Sequence, residues 1–257
     1  MDYQTLTLTI ADDIAVLTLN RPAVMNALNT VMRAEITEAV QDAGRRARVL
    51  VMTGAGKSFC SGQDLGTGAV GDLDLEATLR DEYVPMLRAI FDCTIPTIAA
   101  VNGPAAGAGA NLALAADVVI ASDAAYFVQA FTRIGLIPDA GGTYWLPRQI
   151  GAARAMGAAL FADKVSAQQA ADWGMIWEAV ADAEFEAHWQ RRAWQLAQGP
   201  TVAYTRVKTA LRQSSSNDLD SQLALEAKLQ GECGNSRDFR EGVVAFLEKR
   251  PAAFEGR

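Results

Sequence analysis

The stretch V-L-V-M-T-G-A-G-K-S-F, residues 49–59, is where the reading of this chain divides. An apolar, β-branched run ends in glycines and then in Gly56-Lys57-Ser58, as a phosphate-binding loop does. The spacing refuses that reading. A loop of the form G-x-x-x-x-G-K-[ST] needs its first glycine at 51, which is Val51, and needs a helix opening on the Gly-Lys-Ser. Here the chain runs on as Phe59-Cys60-Ser61-Gly62-Gln63-Asp64-Leu65-Gly66-Thr67-Gly68, too dense in glycine to begin a helix. What remains is a buried strand over 48–53, followed by a loop whose uncovered backbone is suited to meet a ligand.

Working outward, the first twenty residues read as a strand pair, Y-Q-T-L-T-L-T-I and I-A-V-L-T-L around Asp12-Asp13. After Asn29, the residues Met32, Ile36 and Val40 share one face of a helix ending near Gly44. Residues 76–92 read as a helix that Pro85 kinks or breaks. A strand at 97–101, a short helix at 108–115 and a strand at 118–121 complete the alternation, which predicts a largely parallel sheet with right-handed crossovers. From Ala152 the pattern is helical, with a capping box at Ser166–Gln169 and a break at Gly199-Pro200. The expected organisation is an α/β core over 1–195 and a helical region over 196–257.

Composition narrows the function. Of 257 residues, 50% are hydrophobic and 21% charged, the balance of a globular protein with a large core. A net charge of −7 argues against general affinity for nucleic acid or anionic membrane. With no apolar run of spanning length and no basic segment leading an apolar one, a cytoplasmic protein is expected. Cys60, Cys93 and Cys233 form neither a disulfide framework nor a zinc pattern, so no metal is expected. The single histidine, His188, lies in an amphipathic helical stretch and argues against a Ser-His-Asp triad. Proton transfer then falls to a carboxylate, cysteine, tyrosine or lysine.

A second glycine-rich loop follows the strand at 97–101. Gly107 and Gly109 begin a G-x-G-x-x-G fingerprint, but its third position is Leu112, and Asp117 and Asp123 arrive too early to hold a ribose. A dinucleotide site is therefore no better supported than a tight strand-to-helix turn. Each loop offers free backbone N–H groups, the second at a helix start. Two such amides converging on one oxygen would make an oxyanion hole, which spacing alone does not establish.

Taken together, L-N-R-P-A-V-M-N-A-L at 19–28, G-K-S-F-C-S-G-Q-D-L at 56–65, A-V-N-G-P-A-A-G-A-G-A-N-L-A-L-A-A-D at 100–117, G-L-I-P-D-A-G-G-T at 135–143 and the ending F-L-E-K-R-P-A-A-F-E-G-R carry a resemblance over essentially the whole chain. The chain resembles the crotonase family, the enoyl-CoA hydratase/isomerase superfamily. The resemblance implies a ββα superhelix core with a C-terminal helical trimerisation region, and a homotrimer or a hexamer made of two trimers. It implies a coenzyme A thioester as substrate and no prosthetic group. It assigns the oxyanion amides to Ser61 and Ala108, and it places Gly107, Asn111, Phe131 and Pro138 among the residues that bind the coenzyme or the substrate. Val24 and Met25 fall along the coenzyme, and Gln63, Asp64 and Leu65, with the backbone around Lys57 and Phe59, near it. The basic tail contact expected after Phe254 is replaced by Glu255, with Arg257 as a substitute.

At the two positions where the family's hydratases hold water between glutamates stand Asn111 and Phe131, and neither is a general base. Asp139, after Pro138, is the remaining acid; as P-D-A-G-G it is also ordinary turn chemistry. Some isomerases and dehalogenases of the family place a catalytic aspartate there, and Phe131 as an apolar wall would raise its pKa. The expected activity is an isomerase that shifts a double bond or opens a ring epoxide. F-V-Q-A-F-T-R-I-G-L-I-P-D-A-G-G-T at 127–143 is most similar to the ring-epoxide isomerases of phenylacetate degradation, with Phe127 and Phe131 lining an aromatic pocket. The alternatives are an enoyl-CoA hydratase with an unusual acid, and a non-catalytic scaffold binding acyl-CoA or RNA. A dehalogenase is discounted because His188 lies in the wrong region.

Overall fold

A computed structural model describes residues 2–66 and 74–256. Strand β1 (Leu6–Ala11) turns through Asp12 and Asp13, both left-handed, into antiparallel β2 (Ile14–Leu19). From β2 the sheet continues in parallel through β3 (Val49–Gly54), β4 (Thr97–Val101), β6 (Val118–Ser122) and β9 (Glu178–Val180). A second sheet of three short strands, in the order β5 (Ala105–Ala106), β7 (Tyr126–Val128), β8 (Val165–Ser166), stands beside the second glycine loop. The crotonase-like α/β fold expected from the sequence is the one observed.

The unbroken apolar runs of the central strands have a simple cause, since both sheet faces are covered. Leu50 and Met52 of β3 enter the main core with Met32, Ile36 and Val40 of α1 (Thr30–Arg46) and Met86 and Ile90 of α3 (Val84–Phe91). Val49 and Val51 point the other way, with Ile98 and Ile120, onto Phe185, Trp189 and Ala193 of α7 (Asp182–Ala197). Asn29 caps α1 by accepting the Met32 N–H, and Ser166 caps α6 (Ala167–Asp172) by accepting that of Gln169.

Two expectations change. The helix read over 76–92 begins as α2 (Leu75–Thr78), widens into a π turn at Leu79–Tyr83 and resumes as α3, so Pro85 ends nothing. The wider turn ahead of it accommodates a residue lacking an N–H. Between 152 and the C-terminus the chain is not wholly helical, because β8 and β9 interrupt it. Strands of two or three residues are too short to leave a period in the sequence.

Helix α7 packs on the sheet and carries residue 195 within it, and α8 (Thr201–Gln213), α9 (Leu219–Gly234) and α10 (Arg237–Glu248) follow the Gly199-Pro200 break. His188 lies 2.7 Å from Glu178, a structural pairing of α7 with β9. Among the described residues no helix is long and apolar enough to cross a membrane.

Candidate active site

The two glycine loops meet. Gly62 passes so close to the second loop that a Cβ there would lie 2.8 Å from the Ala106 carbonyl oxygen and 3.3 Å from the Ala108 nitrogen. Gly109, inside α4 (Ala108–Leu114), would bring a Cβ to 2.3 Å from the Cys60 carbonyl oxygen. Side chains are excluded at both points so that backbone can approach backbone. Asn26 fastens the first loop from behind: fully buried, it donates through Nδ2 to the carbonyls of Ala55, Ser58 and Phe59. No sequence argument singled out Asn26, although it stands inside the 19–28 motif.

The amide assigned to Ser61 must be corrected. Its N–H donates to the Met25 carbonyl at 3.0 Å and is spent on loop structure. Leu28 instead accepts from Asp64 N–H and donates to the Gly62 carbonyl, so the pairing straddles Gln63 and turns its own N–H away from residue 28. Neither Gln63 N–H nor Ala108 N–H has an acceptor among the described residues, and both residues line one cavity. The amide pair on offer there is Gln63 with Ala108.

That cavity has a volume of about 290 Å³. Ser61, Gly107, Phe131 and Asp139 also line it, with aliphatic walls from Leu65, Leu79 and Leu136. Phe131 lies against Gly107, whose Cβ would meet its ring at 3.6 Å. Phe127 does not reach the cavity; it is buried in β7. The second aromatic is Tyr83, which the sequence analysis missed because a tyrosine on a helix carries no signal. Its hydroxyl donates to Gln63 Oε1 at 2.5 Å, and burial raises its pKa. Arg33, buried on α1, donates to the same Oε1 at 2.9 Å and to the Leu28 carbonyl at 2.6 Å, and pairs with Glu82 at 2.6 Å.

Asp139 sits half-buried at the same cavity, in the turn that opens α5 (Gly142–Phe161). Its Oδ1 is buried with no hydrogen-bond partner among the described residues, and burial pushes its pKa up to about 6. A carboxyl poised near neutrality in a cleft is suited to taking and returning a proton.

Other expected ligand contacts divide. Val24, Met25, Lys57 and Leu65 are exposed around the loop. Asp64 is engaged by Arg21 at 2.8 Å, whose hydrogen bond lowers its pKa. Phe59 is wholly inside the core, with its N–H given to Pro104 and its carbonyl to Asn26, so it offers nothing to a ligand. Pro138 is buried behind the turn. Asn111 is also withdrawn from the cavity; it is fully buried and bonded to Gln129 and the Asp139 carbonyl. Glu255 pairs with Arg237 at 3.6 Å and gives its N–H to Asp238, while Arg257 lies outside the described residues. Among the described residues no cluster of three or more His, Cys, Asp or Glu is arranged to hold a metal ion.

Residues 9–257 match the family model described as enoyl-CoA hydratase/isomerase. The chain belongs to the enoyl-CoA hydratase/isomerase family. A protein named probable enoyl-CoA hydratase, from Rhodobacter capsulatus, is 62% identical over 257 residues, the full length of both chains. The 1,2-epoxyphenylacetyl-CoA isomerase of Escherichia coli is 46% identical over 249 residues, 94% of each chain. Among solved structures, a putative enoyl-CoA hydratase/isomerase from Mycobacterium abscessus superposes with a TM-score of 0.93 at 38% identity, covering 98% of this chain and 100% of its own. Membership makes this an enzyme of a family that acts on coenzyme A thioesters without a prosthetic group.

Proposed function

We propose that this member of the enoyl-CoA hydratase/isomerase family is an isomerase working with one carboxyl group. The observation that carries the reading is Asp139, an acid that lines the cavity and whose buried Oδ1 has no hydrogen-bond partner among the described residues, while the two hydratase acid positions hold the buried Asn111 and the apolar Phe131. Hydration needs a water held and activated on one face of the double bond. Among the described residues lining the cavity, Asp139 is the one acid, with no second acid to orient that water.

In this reading the thioester oxygen accepts hydrogen bonds from the Gln63 and Ala108 amides. Asp139 takes a proton from one carbon of the acyl chain. The electron pair moves onto the thioester oxygen, where the amides stabilise the enolate. The proton then returns at another carbon, and the double bond has moved. The same amides hold the acyl group of a ring epoxide while its ring expands, and Phe131 and Tyr83 supply flat apolar walls for such a ring. The 46% identity to an enzyme named 1,2-epoxyphenylacetyl-CoA isomerase supports this substrate. The name of the 62% identical relative favours a second reading, addition of water to a 2-enoyl-CoA.

The wild type and Asp139→Asn are incubated with 3-enoyl-CoA and with 2-enoyl-CoA in deuterated water, and products are read by mass. Isomerisation with deuterium uptake, reduced about 10²- to 10⁴-fold in the variant, is expected. Undiminished water addition in the variant returns the chain to the hydratases.

The assembly belongs to the same proposal. Helices α8 to α10 enclose an apolar groove of about 880 Å³, with Phe239, Val243, Phe246 and Leu247 on it. It is read as the trimer contact of a cytoplasmic enzyme, and sedimentation equilibrium distinguishes trimer from hexamer.

A further inference from the structure

The turn that carries Asp139 is held from behind by two buried amides. Asn111 on α4 and Gln129, ahead of the 3-10 turn Ala130–Ile134, are 0% and 2% exposed. They exchange two hydrogen bonds: Gln129 Nε2 donates to Asn111 Oδ1 at 2.9 Å, and Asn111 Nδ2 donates to Gln129 Oε1 at 3.2 Å. The acceptor-only Asp139 carbonyl decides which end of Asn111 faces the turn, and the exchange with Gln129 braces the amide in that orientation. The donor end faces the turn, and it gives a hydrogen bond to the Asp139 carbonyl at 2.7 Å. That carbonyl also accepts the Gly142 N–H at 2.8 Å.

The turn is one the backbone does not adopt freely. Ala140 has φ of 48° and Gly141 has φ of 84°, two left-handed residues in succession. For alanine this conformation is disfavoured, because its Cβ crowds the following carbonyl oxygen. Gly142 presses on the same amide, since a Cβ there would lie 2.5 Å from Asn111 Nδ2.

We infer that Asn111, braced by Gln129 with its donor end toward the Asp139 carbonyl, is the positioning residue that fixes the 139–142 turn and keeps the Asp139 carboxyl unpartnered beside the cavity. This rests on the reading of Asp139 as proton carrier. A relaxed turn lets the bare Oδ1 reach water or an N–H, which ends its isolation.

Full-length Asn111→Ala and Gln129→Met test it. Met at 129 fills about the same space but offers neither donor nor acceptor, so the Asn111 amide loses its brace and is free to swing off the Asp139 carbonyl. Four quantities are read: kcat, KM for 3-enoyl-CoA, the pH profile of kcat, and the carboxylic C=O infrared band of Asp139, isolated by subtracting Asp139→Asn spectra. Both variants are expected to lower kcat about 10- to 100-fold with KM changed less than about threefold. The band's midpoint is expected to fall from about 6 toward the ordinary aspartate value of about 4. A kcat that falls only with the folded fraction, at an unmoved midpoint, overturns the inference. Should Asn111→Ala fail to fold, the nearly isosteric Gln129→Met decides alone. An Asp139→Asn enzyme that isomerises undiminished overturns the underlying reading instead, whereas the infrared midpoint tests the clamp without activity.

Discussion

The two walls of the cavity are built on opposite plans. The wall of Gln63 and Ala108 presents backbone, and it is fixed many times over: by Asn26 with three hydrogen bonds, by Arg33 and Tyr83 on the Gln63 side chain, and by two glycines that let the loops touch. The wall of Asp139 presents one side chain, with Oδ1 left without a partner among the described residues and its turn held by a single side-chain amide. Amides that stabilise charge must be immobile before the charge appears, because preorganisation is their contribution. An acid that moves a proton must instead be uncommitted, since each hydrogen bond to its ionised form lowers its pKa.

The sharpest way to break this contrast is Gly109→Ala. The added methyl meets the Cys60 carbonyl at 2.3 Å, backbone against backbone, so one loop must move off the other. Activity is expected to fall about 10²- to 10³-fold, the effect of losing an oxyanion donor. Stability is expected to fall by about 1–3 kcal/mol, as for an overpacked core. Rate and urea midpoint on the same preparation check both. Full activity would mean that the approach of the loops does not set the amides.

Tyr83→Phe probes the redundancy of the backbone wall. It deletes one of two donors to Gln63 Oε1 and leaves Arg33 in place. The loss is expected to be about 1 kcal/mol, roughly fivefold in kcat/KM. A loss comparable with that of Asp139→Asn would assign the hydroxyl to the reacting atoms and erase the distinction between the walls. Steady-state kinetics with the 3-enoyl substrate separates the two outcomes.

The same contrast governs what could be read from sequence. As candidates, Asp139 was legible because the resemblance places a catalytic aspartate of some relatives at that turn and no acid lies between 123 and 139, and Ala108 because the resemblance assigns an oxyanion amide there. The choice of Gln63 over Ser61 was not legible, because alternate residues along an extended loop point their amides in opposite directions. Only the pairing with Leu28 fixes the phase. Arg33 sits beside Met32, off the 32–36–40 stripe, and reads as a solvated charge until Glu82 and Gln63 close over it. The parallel sheet followed from alternation, and the strands β5, β7, β8 and β9 stayed hidden because they have two or three residues each.

The remaining expected effect is on stability, and its sign is opposite to that on rate. Burial holds the Asp139 pKa at about 6 in the folded protein, against about 4 in the unfolded chain. Between those values the folded state binds the extra proton, so stability is fully present below about pH 4 and declines as pH rises through about 6. Above that the ionised carboxyl is a standing penalty. A shift of this size is worth at most about 3 kcal/mol, and the open cavity side reduces it to about 1–2 kcal/mol. Asp139→Asn cannot ionise, so it is expected to match the wild type at pH 4 and to exceed its stability by that amount at pH 7.5. Urea midpoints at pH 4, 5.5 and 7.5 read the slope. Equal slopes for the two proteins would mean that the carboxyl is solvated as an ordinary aspartate. The acid wall would then be no less satisfied than the amide wall.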